Sequence, residues 1–165
     1  MEFLQQVEQL GFLVWVREGG SILGYPLILF LHTLGLGTIA GLNGAIDLRI
    51  LGLAPQVRLA PLVRLFPIIW LAFAVTALSG TTLLLAAAST KLVSPVFYVK
   101  MVLITLALIN LRMLRIRIFR DPMIDTKPLP SSAKVMALTS LILWLGVTTA
   151  GRLMAYIGPV SGLQR

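Results

Sequence analysis

Four continuous apolar runs, at roughly residues 26–46, 66–88, 96–116 and 135–157, constrain this chain more than any other feature. Each is long enough to cross a hydrocarbon layer ~30 Å thick as a helix of about 20 residues. In lipid, every backbone N–H and C=O must be paired within a helix or around a closed barrel. A barrel requires alternating apolar and polar residues, and these runs do not alternate. The expected fold class is all-α: an integral membrane four-helix bundle over residues 26–157. The flanking residues agree, with Gly24 and Pro26 before the first span, Pro61 and Pro67 before the second, and Pro95 before the third. Pro128 and Pro130 precede the fourth, with Ser131 and Ser132 as candidate N-caps.

Composition and charge place the spans in a membrane. Only 12% of residues are charged, against about 25% in soluble domains, and mean hydropathy is +0.94. The absence of cysteine excludes a disulfide framework, a thiolate metal site and a cysteine nucleophile. The net charge of +8 is not read as a nucleic-acid footprint, because nine of the fourteen basic residues fall in two loops between spans. These are Arg49, Arg58 and Arg64, then Arg112, Arg115, Arg117, Arg120, Lys127 and Lys134. By the positive-inside rule both loops lie in the cytoplasm and both termini on the outer side, with the basic loops contacting anionic headgroups. The first residues, MEFLQQVEQLGFLVWV, lack a basic start and a small-residue cleavage site, so a signal peptide is not expected. Phe3, Leu4, Val7, Leu10 and Val14 recur at helical spacing and predict an interfacial amphipathic helix over 1–18.

Rise per residue sorts the polar groups into two layers. His32, the single histidine, lies six residues past Pro26, roughly 9 Å into the first span. Lys100 in the third span and Arg152 in the fourth fall at nearly the same depth, level with Met101 and Met154, with Tyr156 slightly above. A second layer, Asn43, Asp47, Arg49, Asn110 and Arg112, lies about 16 Å below. Around the first helix, His32, Leu36, Ile39 and Asn43 share a narrow sector, whereas Gly37, Gly41 and Gly44 lie on the other side. That glycine face is read as a packing or oligomerisation surface, either within the bundle or toward a homo-oligomer or larger membrane complex.

Three readings of the His32 layer stay open on the residues alone. In the first, neutral imidazole is an axial ligand of a b-type haem, with Arg152 and Lys100 near the propionates; the second ligand is Met101, Met154 or the His32 of a second copy, or is absent in a five-coordinate haem. In the second, His32, Met101 and Met154 hold copper(I), since imidazole and thioether both suit that ion. In the third, no cofactor is bound and the histidine bonds neighbouring helices. A hydrolase is the least expected reading, because no carboxylate shares the histidine's layer and no G-x-S-x-G turn is present, and a non-enzymatic role is favoured. An ion carrier would need the two polar layers joined by water.

The stretches WVREGGSILGYP, LHTLGLGTIAGLNGAIDLRILGL and GRLMAY, spread over most of the chain, resemble an uncharacterised bacterial family of four-helix inner-membrane proteins. The LH-x-x-G-x-x-x-x-x-G pattern is more distantly similar to the first helix of copper-resistance membrane proteins and of membrane b-type cytochromes. The resemblance implies a bacterial inner-membrane location, a histidine on helix one, and redox or metal work. The chain departs from the pattern after Asn110, where relatives often carry a second histidine and this sequence reads LRMLR.

Overall fold

A computed structural model of the chain describes residues 6, 8–121 and 123–156, the last two by their backbone alone. All regular structure among them is helical: α1 (Gly11–Glu18), α2 (Tyr25–Leu51), a 3-10 helix (Ala60–Arg64), α3 (Leu65–Leu85), α4 (Ala88–Lys91), α5 (Pro95–Arg117) and α6 (Ser131–Tyr156). The helices α2, α3 with its 3-10 lead, α5 and α6 are each long and apolar enough to cross a membrane. Their length and composition make this a multi-pass membrane protein.

Local chemistry sets the helix ends. Pro26 and Pro95 occupy first-turn positions of α2 and α5, where a missing N–H costs nothing. At the far end of α2, Leu53 N–H bonds Leu48 C=O at 3.0 Å and Gly52 N–H bonds Arg49 C=O at 3.2 Å. This Schellman pair needs Gly52 at φ 108°, a backbone state that a side chain resists. The helix thus continues beyond residue 46, carrying Asp47 and Arg49 inside it. The 3-10 helix receives its cap from a distant loop, where the Asp125 carboxylate accepts Leu59 N–H at 2.7 Å and Ala60 N–H at 3.2 Å. The polar linker 120–134 is in this way tied to the loop that follows α2.

Of the helix predicted over 1–18, the structure describes a helix at Gly11–Glu18, and residues 1–5 and 7 lie outside the described residues. Leu13 and Val16 are buried, while Phe12 and Trp15 are exposed and stacked with ring centroids 6.2 Å apart. Glu8 fastens this segment to the bundle: its carboxylate accepts the Ser89 N–H at 2.7 Å and the Ser89 hydroxyl at 2.8 Å.

Helix α2 packs on α3 and on α6, and α6 packs on α5, giving the lateral order α3–α2–α6–α5. The first and last members of that row, α3 and α5, are not extensively packed against each other. The shared core runs through Ile39, Ile46, Ile50, Phe66, Ile69, Ala107, Leu111, Ala137 and Val147. Large apolar residues such as Leu34, Leu71, Leu78, Val102, Ile142 and Leu145 face outward, as a lipid solvent allows.

Candidate functional site

The open seam between α3 and α5 is a cleft of ≈ 280 Å³ with α2 and α6 as its floor. His32 of α2 stands in it, half-buried, with a fixed orientation. Its Nδ1 is 3.0 Å from the Thr76 carbonyl oxygen of α3 and 3.3 Å from Ser79 Oγ. A carbonyl only accepts, so Nδ1 carries the hydrogen and donates it, leaving the Nε2 lone pair unused. This is the arrangement in which a backbone carbonyl orients a ligating imidazole. Two glycines make it possible. A methyl group at Gly80 would stand 2.8 Å from His32 Cε1 and 3.1 Å from Nδ1, and one at Gly35 would stand 2.2 Å from Thr76 Oγ1. Gly35 lets the helices meet, and Gly80 leaves room for the ring.

Apart from Thr76 and Thr81, whose hydroxyls bond carbonyls of their own helix, the walls are mainly apolar: Leu36, Ile39, Phe73, Ile104 and Val147 line the cleft together with Met101, Met154 and Trp144. The Trp144 indole N–H is buried and has no acceptor among the described residues. Two cations complete the lining, Lys91 from α4 and Lys100 from α5, both half-buried. Among the described residues neither has a carboxylate within salt-bridge distance, and the one ion pair is Arg17–Glu18 at 2.8 Å. The donor set is therefore one imidazole, two thioethers, an indole N–H and two ammonium groups. No group of three His, Cys, Asp or Glu side chains with metal-site spacing occurs among the described residues.

His32, Lys100, Met101 and Met154 thus gather as their depths predict. Arg152 does not join them: it is exposed and contributes nothing to the cleft lining. The face of α6 that turns inward is Trp144, Val147, Gly151 and Met154, and a methyl group at Gly151 would stand 3.9 Å from Lys100 Nζ. The polar stripe Thr148–Arg152 lies off that face, and Thr148 satisfies its hydroxyl on the carbonyls of Trp144 and Leu145. The side chain of Tyr156 lies outside the described residues. Sequence reasoning missed Thr76, Ser79 and Gly80, which belong to a polar, small-residue interruption, TALSGTT, of the apolar second span.

The lower layer is divided among separate jobs. Asn43 and Asp47 are fully buried with Ser140 of α6, and Asn43 Nδ2 donates to Asp47 Oδ2 at 2.9 Å and to Ser140 Oγ. Arg49 turns to the carbonyls of Val57 and Pro55 and lines a recess with Asp125, Lys127 and Lys134. Asn110 donates to the Met136 carbonyl at 3.0 Å, and Arg112 is exposed. Between the layers stand the buried apolar side chains of Ile39 and Val147.

The glycine face is not used inside the bundle. Methyl groups at Gly37 and Gly41 would meet nothing within 4 Å, and one at Gly44 would meet only Leu141 Cδ2 at 3.9 Å. The close helix contacts fall instead at Gly35 and Gly80. In comparison with known proteins, no family model, no curated protein and no solved structure matches this chain.

Proposed function

We propose that the protein is a membrane subunit that binds a b-type haem in the α3–α5 cleft through His32 Nε2, serving electron transfer or the organisation of a larger complex. The observation that carries this reading is the Thr76 carbonyl on Nδ1, which fixes the tautomer and presents Nε2 to an apolar cleft. The remaining lining suits the group. Lys91 and Lys100, with no carboxylate partner among the described residues, offer two positive charges for two propionates, and the Trp144 N–H offers a further donor. Met101 or Met154 is available as a second axial donor. The cleft volume of ≈ 280 Å³ is near the lower end of ligand pockets, ~300–1,000 Å³. The loosely packed α3–α5 seam supplies the edge at which a flat macrocycle enters. Bound there, haem supplies one-electron chemistry. The protein's own residues would orient the imidazole through Thr76, offset carboxylate charge through Lys91 and Lys100, and exclude water through the apolar lining of Leu36, Ile39 and Phe73.

On this reading the His32 end of the bundle faces outward in a bacterial inner membrane, and the basic loops face anionic headgroups in the cytoplasm. The resemblance of LHTLGLGTIAGLNG to first helices of membrane cytochromes points the same way. Protein purified from its native membrane is expected to show a Soret band that disappears in His32→Ala and weakens in Lys100→Glu. A preparation with no Soret band, or one whose band survives His32→Ala unchanged, overturns the proposal. Stoichiometric copper without haem would transfer the site to His32, Met101 and Met154.

A second reading, a cofactor-free assembly subunit, is favoured by the unoccupied Gly37–Gly41 face. Colourless, metal-free protein that co-purifies stoichiometrically with a larger complex in mild detergent would select it. An ion carrier is disfavoured by the buried apolar side chains of Ile39 and Val147 between His32 and Asn43.

A further inference from the structure

The cluster Asn43–Asp47–Ser140 lies in the α2–α6 seam, well below the cleft, and its hydrogen bonds do not balance. Asn43 uses both amide hydrogens, one on Asp47 Oδ2 and one on Ser140 Oγ. Two oxygens, Asn43 Oδ1 and Asp47 Oδ1, are buried with no partner. The one further donor is the Ser140 hydroxyl, which makes no bond to its own helix, unlike Ser79, Thr76 and Thr148. A single hydroxyl can serve one of the two orphan oxygens, so the cluster is one donor short.

Charge is unbalanced as well. All three side chains are 0% exposed, and an ionised carboxylate there would need a cation that the bundle does not provide. Helix α3, packed against α2, carries no titratable side chain. On α6, Lys134 and Arg152 are exposed toward opposite ends, and on α2 Arg49 is committed to loop carbonyls. On α5, Arg112, Arg115 and Arg117 are exposed, and Lys100 lines the distant cleft.

We propose that Asn43, Asp47 and Ser140 form a proton-binding site, with one proton resident on Asp47 at neutral pH. That proton supplies the missing donor and removes the uncompensated charge in one step. A water molecule would do only the first. A hard metal cation would do both, but such ions take about six or more oxygens, and the cluster has two free. The site is independent of whatever fills the cleft.

Infrared spectroscopy of the full chain in an ester-free maltoside detergent tests this. Surface carboxyl groups are ionised at pH 7, so a protonated-acid C=O band that shifts in D2O and is absent from Asp47→Asn is the expected result. On raising pH, wild-type protein is expected to lose stability as that band disappears, whereas Asp47→Asn stays level. If Asp47→Asn does not fold, Ser140→Ala is expected to move the band by removing a hydrogen-bonding neighbour. No protonated-acid band at pH 7, a band unmoved by these substitutions, or one present in choline buffer and abolished by sodium overturns the proposal, the last in favour of a cation site.

Discussion

At the scale of single residues, the imidazole of His32 depends on a residue with no side chain. Gly80 sits one turn after Thr76, and an added methyl would press on Cε1 and Nδ1 of a ring already bonded to the Thr76 carbonyl. The ring can relieve that contact only by giving up the bond that orients it. If His32 holds haem as proposed, Gly80→Ala is expected to weaken haem retention by roughly 10–100-fold, the usual consequence of disturbing a ligand's orienting partner. Titration of apoprotein with haem measures it. Gly37→Ala, facing open space on α2, is the matched control and is expected to leave affinity unchanged. The two glycines are indistinguishable as letters; only the neighbour each one meets separates them. His32, Lys100, Met101 and Met154 were legible because depth follows from counting residues at a fixed rise. Arg152 was misplaced because polarity was taken to mark the inward face of α6. In lipid, a threonine can turn its hydroxyl onto its own helix, as Thr148 does, and an arginine near a helix end can reach water.

At the scale of elements, all four long helices were readable as spans, with the largest differences at the ends where polar residues begin. Helix α2 runs on to Leu51 with Asp47 bonded to Asn43, which also reaches Ser140 of α6, and with Arg49 received by loop carbonyls. The hydroxyl that Asn43 meets is not encoded near it in sequence: Ser140 lies 97 residues away. The same is true of the 3-10 helix, whose capping carboxylate, Asp125, lies 66 residues from Leu59. Removing it strands two backbone N–H groups at a helix start. Asp125→Ala is expected to cost roughly 1.5–3 kcal/mol, the range for hydrogen bonds to a charged group. Denaturation in detergent measures the loss, and Asp125→Asn should recover part of it because the amide oxygen still accepts.

For the molecule as a whole, the row α3–α2–α6–α5 leaves one seam loosely packed, and the chain's tethers determine what borders it. The segment around α4 carries Lys91 into the cleft, and Glu8 holds that segment by Ser89. The Ser89 N–H and hydroxyl keep the Glu8 carboxyl below its ordinary value, against a small opposing effect of burial. A carboxyl depressed in the folded state contributes stability fully above its unfolded pKa, and that contribution is lost as pH falls through the folded value. Amide exchange of residues 86–92, corrected for intrinsic rate, is expected to show protection falling in that acid window. Glu8→Gln is expected to remove the pH step, because its amide does not titrate.

The sequence by itself determined that the chain is all-helical, where its four spans lie, and which polar groups share a depth. Those properties follow from run length and from the geometry of one helix at a time. The tertiary structure decided which face of each helix turns inward, which glycines bring helices together, and that Asp47 belongs with Ser140 while Arg152 stands apart. The physical reason is the solvent. In water, an amphipathic stripe marks the buried face of a helix. In lipid, the outward face is as apolar as the core, so a span carries little such mark. Side-chain size and pairing between helices select the inward face, and those are visible only once the neighbouring helix is in place.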